Sequence, residues 1–406
     1  MFINNQIHIL KRRNEMKKIF AWPKEIYLFW IVDFILGLEL IGSVLLIFFR
    51  DWGGLNQTQT QMLQSWFTLW IFILEIPTGV FGDVVGKKKS VLIGYILTII
   101  GTITYSIVPN IWLFLLSEFI FAAGIAFISG SKEAWMYGIA EKYNIQSEFK
   151  QIYATAKTFN IIGMIVASVI FIYINTLLPV QQIFRLGIFT NLLVILLLGF
   201  LIKPAQGGKK KRKPTEVAKE AFQLLKSNIT LRKLAIYTGL LGSTSYFVIW
   251  LYQQALRVLS VDDIAFGEYR IVLLGSQLLV LRLFPILFKK LGLKKVLILI
   301  AIIVGLGFII GGVLHNTIGI LFVLAFSGGL GLQVSTLVSD NVNNEIEEDQ
   351  RSTVLSFVNM ARRLMLTVFN PVIGFLVDTK GVFIAFTVLG VISLLAIFFK
   401  PKIISK

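Results

Sequence analysis

The sequence has no cysteine and only two histidines, His8 and His315. Disulfides, thiolate metal sites and cysteine nucleophiles are excluded, and two histidines alone do not make a zinc site. Charge is scarce as well: charged residues make up 15% of the 406 positions, where a soluble domain carries about 25%. Most of the surface is therefore not built for water. A phosphate-binding loop, a GxSxG elbow and an HExxH helix are also missing, which removes the common enzyme templates. The expectation is a protein that is not an enzyme and that needs no cofactor and no metal. No signal peptide is expected either: the first apolar run begins near Ile26 and is too long for a leader core. Met16, followed by Lys17 and Lys18, would serve as a start site as well as Met1.

What the sequence has is apolar length. Hydrophobic residues fill 56% of the chain, and many windows reach the ~18–20 residues that carry a helix across a bilayer. Backbone amides in lipid need internal partners, so only helices or a closed barrel qualify. Barrel strands would alternate over about ten residues; these runs are longer and do not alternate. Twelve spans are read, at roughly 26–49, 62–83, 89–108, 111–138, 151–176, 182–202, 232–257, 266–288, 294–314, 317–339, 353–377 and 382–400. The expected fold class is all-α integral membrane, with twelve transmembrane helices in two pseudo-symmetric six-helix bundles. The divisions are a cytosolic N-terminal segment 1–25, a first bundle 26–202, a basic linker 203–231, a second bundle 232–400 and a tail 401–406.

The net charge of +17 raises the question of nucleic acid. Its distribution answers otherwise. Most of the 39 Lys and Arg lie in segments that share one side once the N-terminus is placed inside. By the positive-inside rule, both termini face the cytosol of a cell-membrane protein. The run Lys209-Lys210-Lys211-Arg212-Lys213 reads as a solvated linker near anionic lipid headgroups, not as a nucleic-acid patch.

The halves repeat. Phe81 to Lys89 after the second span aligns without gaps on Leu287 to Lys295 after the eighth, matching Gly86 with Gly292, Lys88 with Lys294 and Lys89 with Lys295. Paired six-span halves with nested inverted repeats are a transporter architecture. The stretch Ile76-Pro77-Thr78-Gly79-Val80-Phe81-Gly82-Asp83-Val84-Val85-Gly86-Lys87-Lys88-Lys89 resembles the signature loop of the major facilitator superfamily. It departs from that signature at Val84, where a basic residue is common, and the second copy has Lys289 in place of Asp83. Ser129 to Tyr137 resembles the end of helix 4 in bacterial members, and Arg351 to Asp378 resembles their helix 11. The resemblance implies a secondary transporter, with Gly79, Gly82, Asp83, Gly86, Lys87, Lys88, Glu133, Arg351 and Arg362 in a cytoplasmic gate. There Asp83 would face the N-terminus of helix 11 near Ser352, where an anion is favoured, and the two glycines would let a neighbouring helix come close.

Ionisable groups inside a bilayer are costly and are functional candidates by default. Glu39 lies ~20 Å along the first span, with Asp33 nearer the cytosol; taken as one helix, the two point about 120° apart. Glu39, Asp33 and Glu118 are the candidates for binding a coupling proton or sodium ion. Glu75 is expected to pair with Lys157 or to accept a local hydrogen bond, and Arg363 is expected to snorkel to the headgroups. Tyr246, Trp250 and Gln253 share a face of helix 7 and, with Gln277, Gln333 and Asn359, are candidates for the substrate cavity, while Tyr252 and Gln254 are assigned to the outer interface. The expected function is proton-coupled efflux of small amphipathic molecules by a monomer. Uptake of a metabolite or organic anion through Arg282 or Arg362 is the alternative, and a transporter-like sensor is the alternative of another class.

Overall fold

The computed structural model describes residues 22–201, 229–342 and 348–400, with side chains outside 201 and 339–358. The linker 203–228, the N-terminal stretch with Met16 and His8, the tail 401–406 and the side chains of Arg351 and Ser352 lie outside the described residues. Eleven helical runs among those described are long and apolar enough to cross a membrane. They are α1 (Lys24–Trp52), α2 (Gln57–Val85), α4 (Ile111–Lys142), α5 (Gln146–Ile174), α6 (Val180–Phe200), α7 (Ile229–Val258), α8 (Ala265–Leu291), α9 (Leu293–Leu314), α10 (Thr317–Val338), α11 (Glu348–Lys380, apolar from Asn359) and α12 (Val382–Phe399). The twelfth helix, α3 (Lys87–Tyr105), opens with three lysines, which lowers its hydropathy. An even number of crossings puts residues 24 and 399 at the same end of the bundle. That end is called terminal below and the other distal.

Within the first half α1 packs on α5, and α4 on α2 and α3; within the second, α9 packs on α12 and α7 on α11. The halves meet along α2 with α11 and α5 with α8. The internal repeat is visible in the turns. Gly86 between α2 and α3 has φ 107°, and Gly292 between α8 and α9 has φ 76°. Both conformations suit glycine and are strained for other residues, so the two matched sequence motifs build the same hinge.

The first span departs from the expected continuous helix. Helix runs to Gly37, stops over Leu38–Leu40 and resumes at Ile41. Beyond Leu46 it widens into a π-helical stretch, Ile47–Trp52. The break follows a close backbone crossing: a Cβ on Gly37 would fall 2.2 Å from the Asn160 carbonyl of α5, and one on Gly163 would fall 2.2 Å from the Phe34 carbonyl. Small residues let helices touch through their backbones in lipid. Asn160 then donates to the Asp33 carbonyl at 3.0 Å, pinning the turn before the break. With the helix interrupted, the 120° separation of Asp33 and Glu39 no longer holds.

Substituting Gly37 with Val should disrupt the α1–α5 crossing, since overpacking costs about 1–3 kcal/mol or more. The detergent-extracted variant should melt at a lower temperature or lose its monodisperse peak. Gly79→Val is the control, because a Cβ there meets nothing within 4 Å. Equal behaviour of the two variants would contradict the crossing.

Candidate functional site

Charge inside the bundle is divided between the halves. Glu75 of α2 forms an ion pair with Arg363 of α11, Oε2 to Nη1 at 2.5 Å. This corrects two expectations: Glu75 is matched with Arg363 and not Lys157, and Arg363 does not snorkel. The reason is the packing of α2 along α11, which brings the two groups together away from water, where each needs the other. Arg362 turns toward α7, where a Cβ on Gly242 would lie 3.0 Å from its Cδ. It is thus placed in the bundle interior, away from the signature loop.

Glu118 of α4 is only 4% exposed. Its Oε1 accepts from the Tyr105 hydroxyl at 2.6 Å and from the Gln64 amide at 2.6 Å. The other end of the same amide, Gln64 Oε1, accepts from the Tyr246 hydroxyl of α7 at 3.1 Å. A four-residue chain therefore joins an acid of the first half to the second half through neutral groups. Among the described residues Glu118 makes no ion pair.

Glu39 sits in the break of α1 and is exposed despite lying midway along the span. One turn further on, the Arg270 guanidinium of α8 lies on the α1 backbone. A Cβ on Gly42 would come 2.2 Å from Nη2, and Nη1 donates to Ser43 Oγ at 2.9 Å. Arg270 and Glu39 attract each other through space without forming a direct pair. A half-helix terminus with an accessible acid at mid-membrane is a setting that suits an ion or substrate site.

The distal end is closed by further contacts between halves. Asp378, at the end of α11, accepts from the backbone of Gln57 at 3.2 Å and of Thr58 at 2.7 Å, and from the Thr58 hydroxyl at 2.5 Å. It thereby caps the N-terminus of α2, where an anion is favoured. Arg257 bridges Asp51 of the first half at 2.5 Å and also pairs with Asp263. The Gln253 amide accepts from Leu46 N–H at 2.8 Å and donates to the Gly42 carbonyl at 3.1 Å, clamping the resumed part of α1. Ser65 donates to the Thr367 carbonyl at 2.5 Å. In the same seam Gln61 and Asn370, both 0% exposed, leave all their amide atoms without partners among the described residues.

Toward the terminal end, the ion pairs between described residues stay within the first half. Asp83 pairs with Lys87 one turn on at 2.7 Å, Asp33 with Lys132 at 2.6 Å and Lys142 with Glu25 at 3.7 Å. Lys88 donates to the Gly199 carbonyl at 2.7 Å. The molecule is thus closed distally, and Glu75–Arg363 is the deepest bond of that closure.

The other expected residues scatter. Gly82 does receive a neighbour, with Ser131 Oγ 2.6 Å from its would-be Cβ, whereas Gly79 faces open space. Glu133 is exposed, within electrostatic reach of Lys157. Gln253 is 1% exposed and fully engaged, so it lines no open cavity here. Trp250 is packed against Phe49 and Tyr246. Gln277 and Gln333 bond to each other at 2.7 Å, joining α8 to α10. Asn359, near the start of the described side chains of α11, is half-buried. Tyr252 is buried with its hydroxyl on the Phe266 carbonyl, so it does not belong to an outer aromatic belt.

These features define a multi-pass helical membrane protein whose two six-helix halves share a charged seam. The family model of the Major Facilitator Superfamily matches residues 29–285 and 271–403. The chain belongs to that superfamily. It is 26% identical over 225 residues to an uncharacterised MFS-type transporter, YxaM, of Bacillus subtilis (strain 168), covering 54% of this chain and 55% of that one. It is also 26% identical over 137 residues to MJ1560, an uncharacterised MFS-type transporter of Methanocaldococcus jannaschii, covering 33% and 35%. The matched stretches thus span about half or less of those relatives. Among solved structures, the nucleoside transporter NupG superposes with TM-score 0.74 at 15% identity, covering 93% of this chain and 98% of that one. A POT family transporter in complex with a thioalcohol-conjugated peptide gives 0.74 at 14%, covering 93% and 96%. The human organic anion transporter MFSD10 gives 0.66 at 14%, covering 93% and 100%. These likenesses speak to the fold.

Asp378→Asn should weaken the cross-half cap, a charge-assisted bond being about twice as strong as a neutral one. A single cysteine placed at Gln61, the only thiol in this chain, should then react faster with a membrane-impermeant maleimide. Unchanged reactivity would mean that Asp378 does not hold the distal end shut.

Proposed function

We propose that the chain is a proton-coupled secondary transporter of small organic ions, working by alternating access with its terminal end in the cytosol. The observation that carries this reading is the division of charge across the seam. Glu39, Glu75 and Glu118 stand on the first half, and Arg270, Arg362 and Arg363 on the second. While Glu75 is ionised, parting the halves would separate it from Arg363 and leave a charge of each sign unmatched, which costs several kcal/mol per ion. A proton on Glu75 cancels its attraction to Arg363 and so weakens what holds the halves together.

Glu118 is the acid we assign to the coupling proton. Its neighbours, a phenol and an amide, both present hydrogens to it. Such a shell suits a carboxyl that gains and loses a proton, and it is wrong for sodium, which needs acceptor oxygens. The Gln64–Tyr246 link then carries the charge state of Glu118 to α7.

The cargo is inferred from what the seam leaves over. Arg362 has no acid of its own among the described residues, and Glu39 is accessible. Both favour a solute that brings charge, an acidic group for the arginine above all. This supports the organic-anion alternative over amphipathic drugs. A peptide and organic anions are among the solutes named for its structural relatives, which agrees with a charged cargo. The excess of Lys and Arg in loops at the terminal end supports a cytosolic placement of that end.

In proteoliposomes tested with anionic, zwitterionic, neutral and cationic solutes, an acidic solute should be concentrated by an inward pH gradient. Glu118→Gln should keep exchange of that solute near the wild-type rate and lose uphill accumulation altogether. Uphill accumulation surviving in the variant would remove Glu118 from the coupling role.

A further inference from the structure

A cavity of about 260 Å³ remains at the distal end, outside the charged seam. Its walls come from both halves: α1 and α2 of the first, α7 and α11 of the second. Phe49 and Trp250 line one side, with ring centroids 5.7 Å apart. Arg50, exposed and also lining the cavity, makes no ion pair or hydrogen bond among the described residues. Gln57, 7% exposed, lines the cavity too. Asp378 borders the same space and forms no ion pair with Arg50; both its oxygens are hydrogen-bonded at the N-terminus of α2.

The cavity therefore combines an aromatic wall with an arginine that has no acid paired to it among the described residues. That is the complement of an anion with an apolar body. A cationic ligand would meet the like charge of Arg50. We propose that this cavity binds a small organic anion of the aromatic carboxylate class, and that its occupancy ties the distal ends of the two halves together. Because the walls belong to both halves, a bound ligand contacts both only while the seam is closed. Binding then shifts the population toward the closed arrangement by its differential affinity. The site is separate from the acids and arginines of the proposed transport path, so it stands or falls independently of that reading.

The test uses Gln254, half-buried on the cavity wall. Gln254→Cys gives the chain its only thiol, and its maleimide labelling is timed in detergent against rising 1-naphthoate. The expected result is saturable protection, absent with 1-naphthylmethylamine or 1-naphthalenemethanol. Adding Arg50→Gln should weaken the protection about tenfold, the scale of one charge-assisted contact, whereas adding Glu39→Gln should leave it intact. Size-exclusion profiles establish that each variant is folded. No protection by naphthoate, equal protection by the amine, or protection untouched by Arg50→Gln would each overturn the proposal. Two sources share this chemistry, and labelled naphthoate in proteoliposomes separates them. If it is carried, the cavity is a waystation for cargo; if it binds and slows exchange without being carried, the cavity holds a separate regulatory ligand.

Discussion

An ion buried in hydrocarbon must be matched by its opposite, and in this protein the match is made across a boundary that has to open. Glu75 of the first half meets Arg363 of the second, and this pair marks the depth to which the halves are joined. Because the charges are shared, the strength of the seam depends on the ionisation of a few carboxyls. The Gln64 amide extends the same dependence to Glu118, which reaches α7 only through it.

The closure is strong at named points and weak between them. Asp378 caps α2, Gln253 holds α1 and Arg257 holds Asp51. Between these bonds lie Gln61 and Asn370, whose amide groups are buried and unsatisfied. An unpaired buried polar group costs about 1–3 kcal/mol, and opening the seam to water would recover it. A glycine at 374 sets the spacing, since a Cβ there would lie 2.8 Å from the Thr58 Cα. Close packing and a polar interior together give a seam that seals without being sealed for good.

Much of this was legible in the sequence. Twelve spans, the hinge glycines Gly86 and Gly292 and the family follow from apolar length and one repeated loop. Glu39 and Glu118 stand out because a lone acid in an apolar run is conspicuous. Partners were not legible, because they are set by which helices pack. Nothing in the sequence near Glu75 points to a residue 288 positions away. The sequence around Arg270 and Asp378 carries no mark of their partners, and only the α1–α8 and α2–α11 contacts show what they hold. The break in α1 was hidden because Leu38 and Leu40 are good helix residues; its cause is the Gly37–Gly163 crossing. The start of α2 did carry a signal that was missed: Gln57, Gln59, Gln61 and Gln64, with Thr60, Ser65 and Thr68, are too many polar residues for a lipid face.

The central claim is that protonation of the first-half acids releases the distal seam. Spin labels on single cysteines at Thr176 and Thr379, at the distal ends of the two halves, would report their separation in nanodiscs as pH is lowered. The account predicts that a longer distance grows in as the pH falls, and that Glu75→Gln with Glu118→Gln shows this longer distance already at high pH. A distance that stays the same across the pH range in the native chain and in the double variant would contradict it.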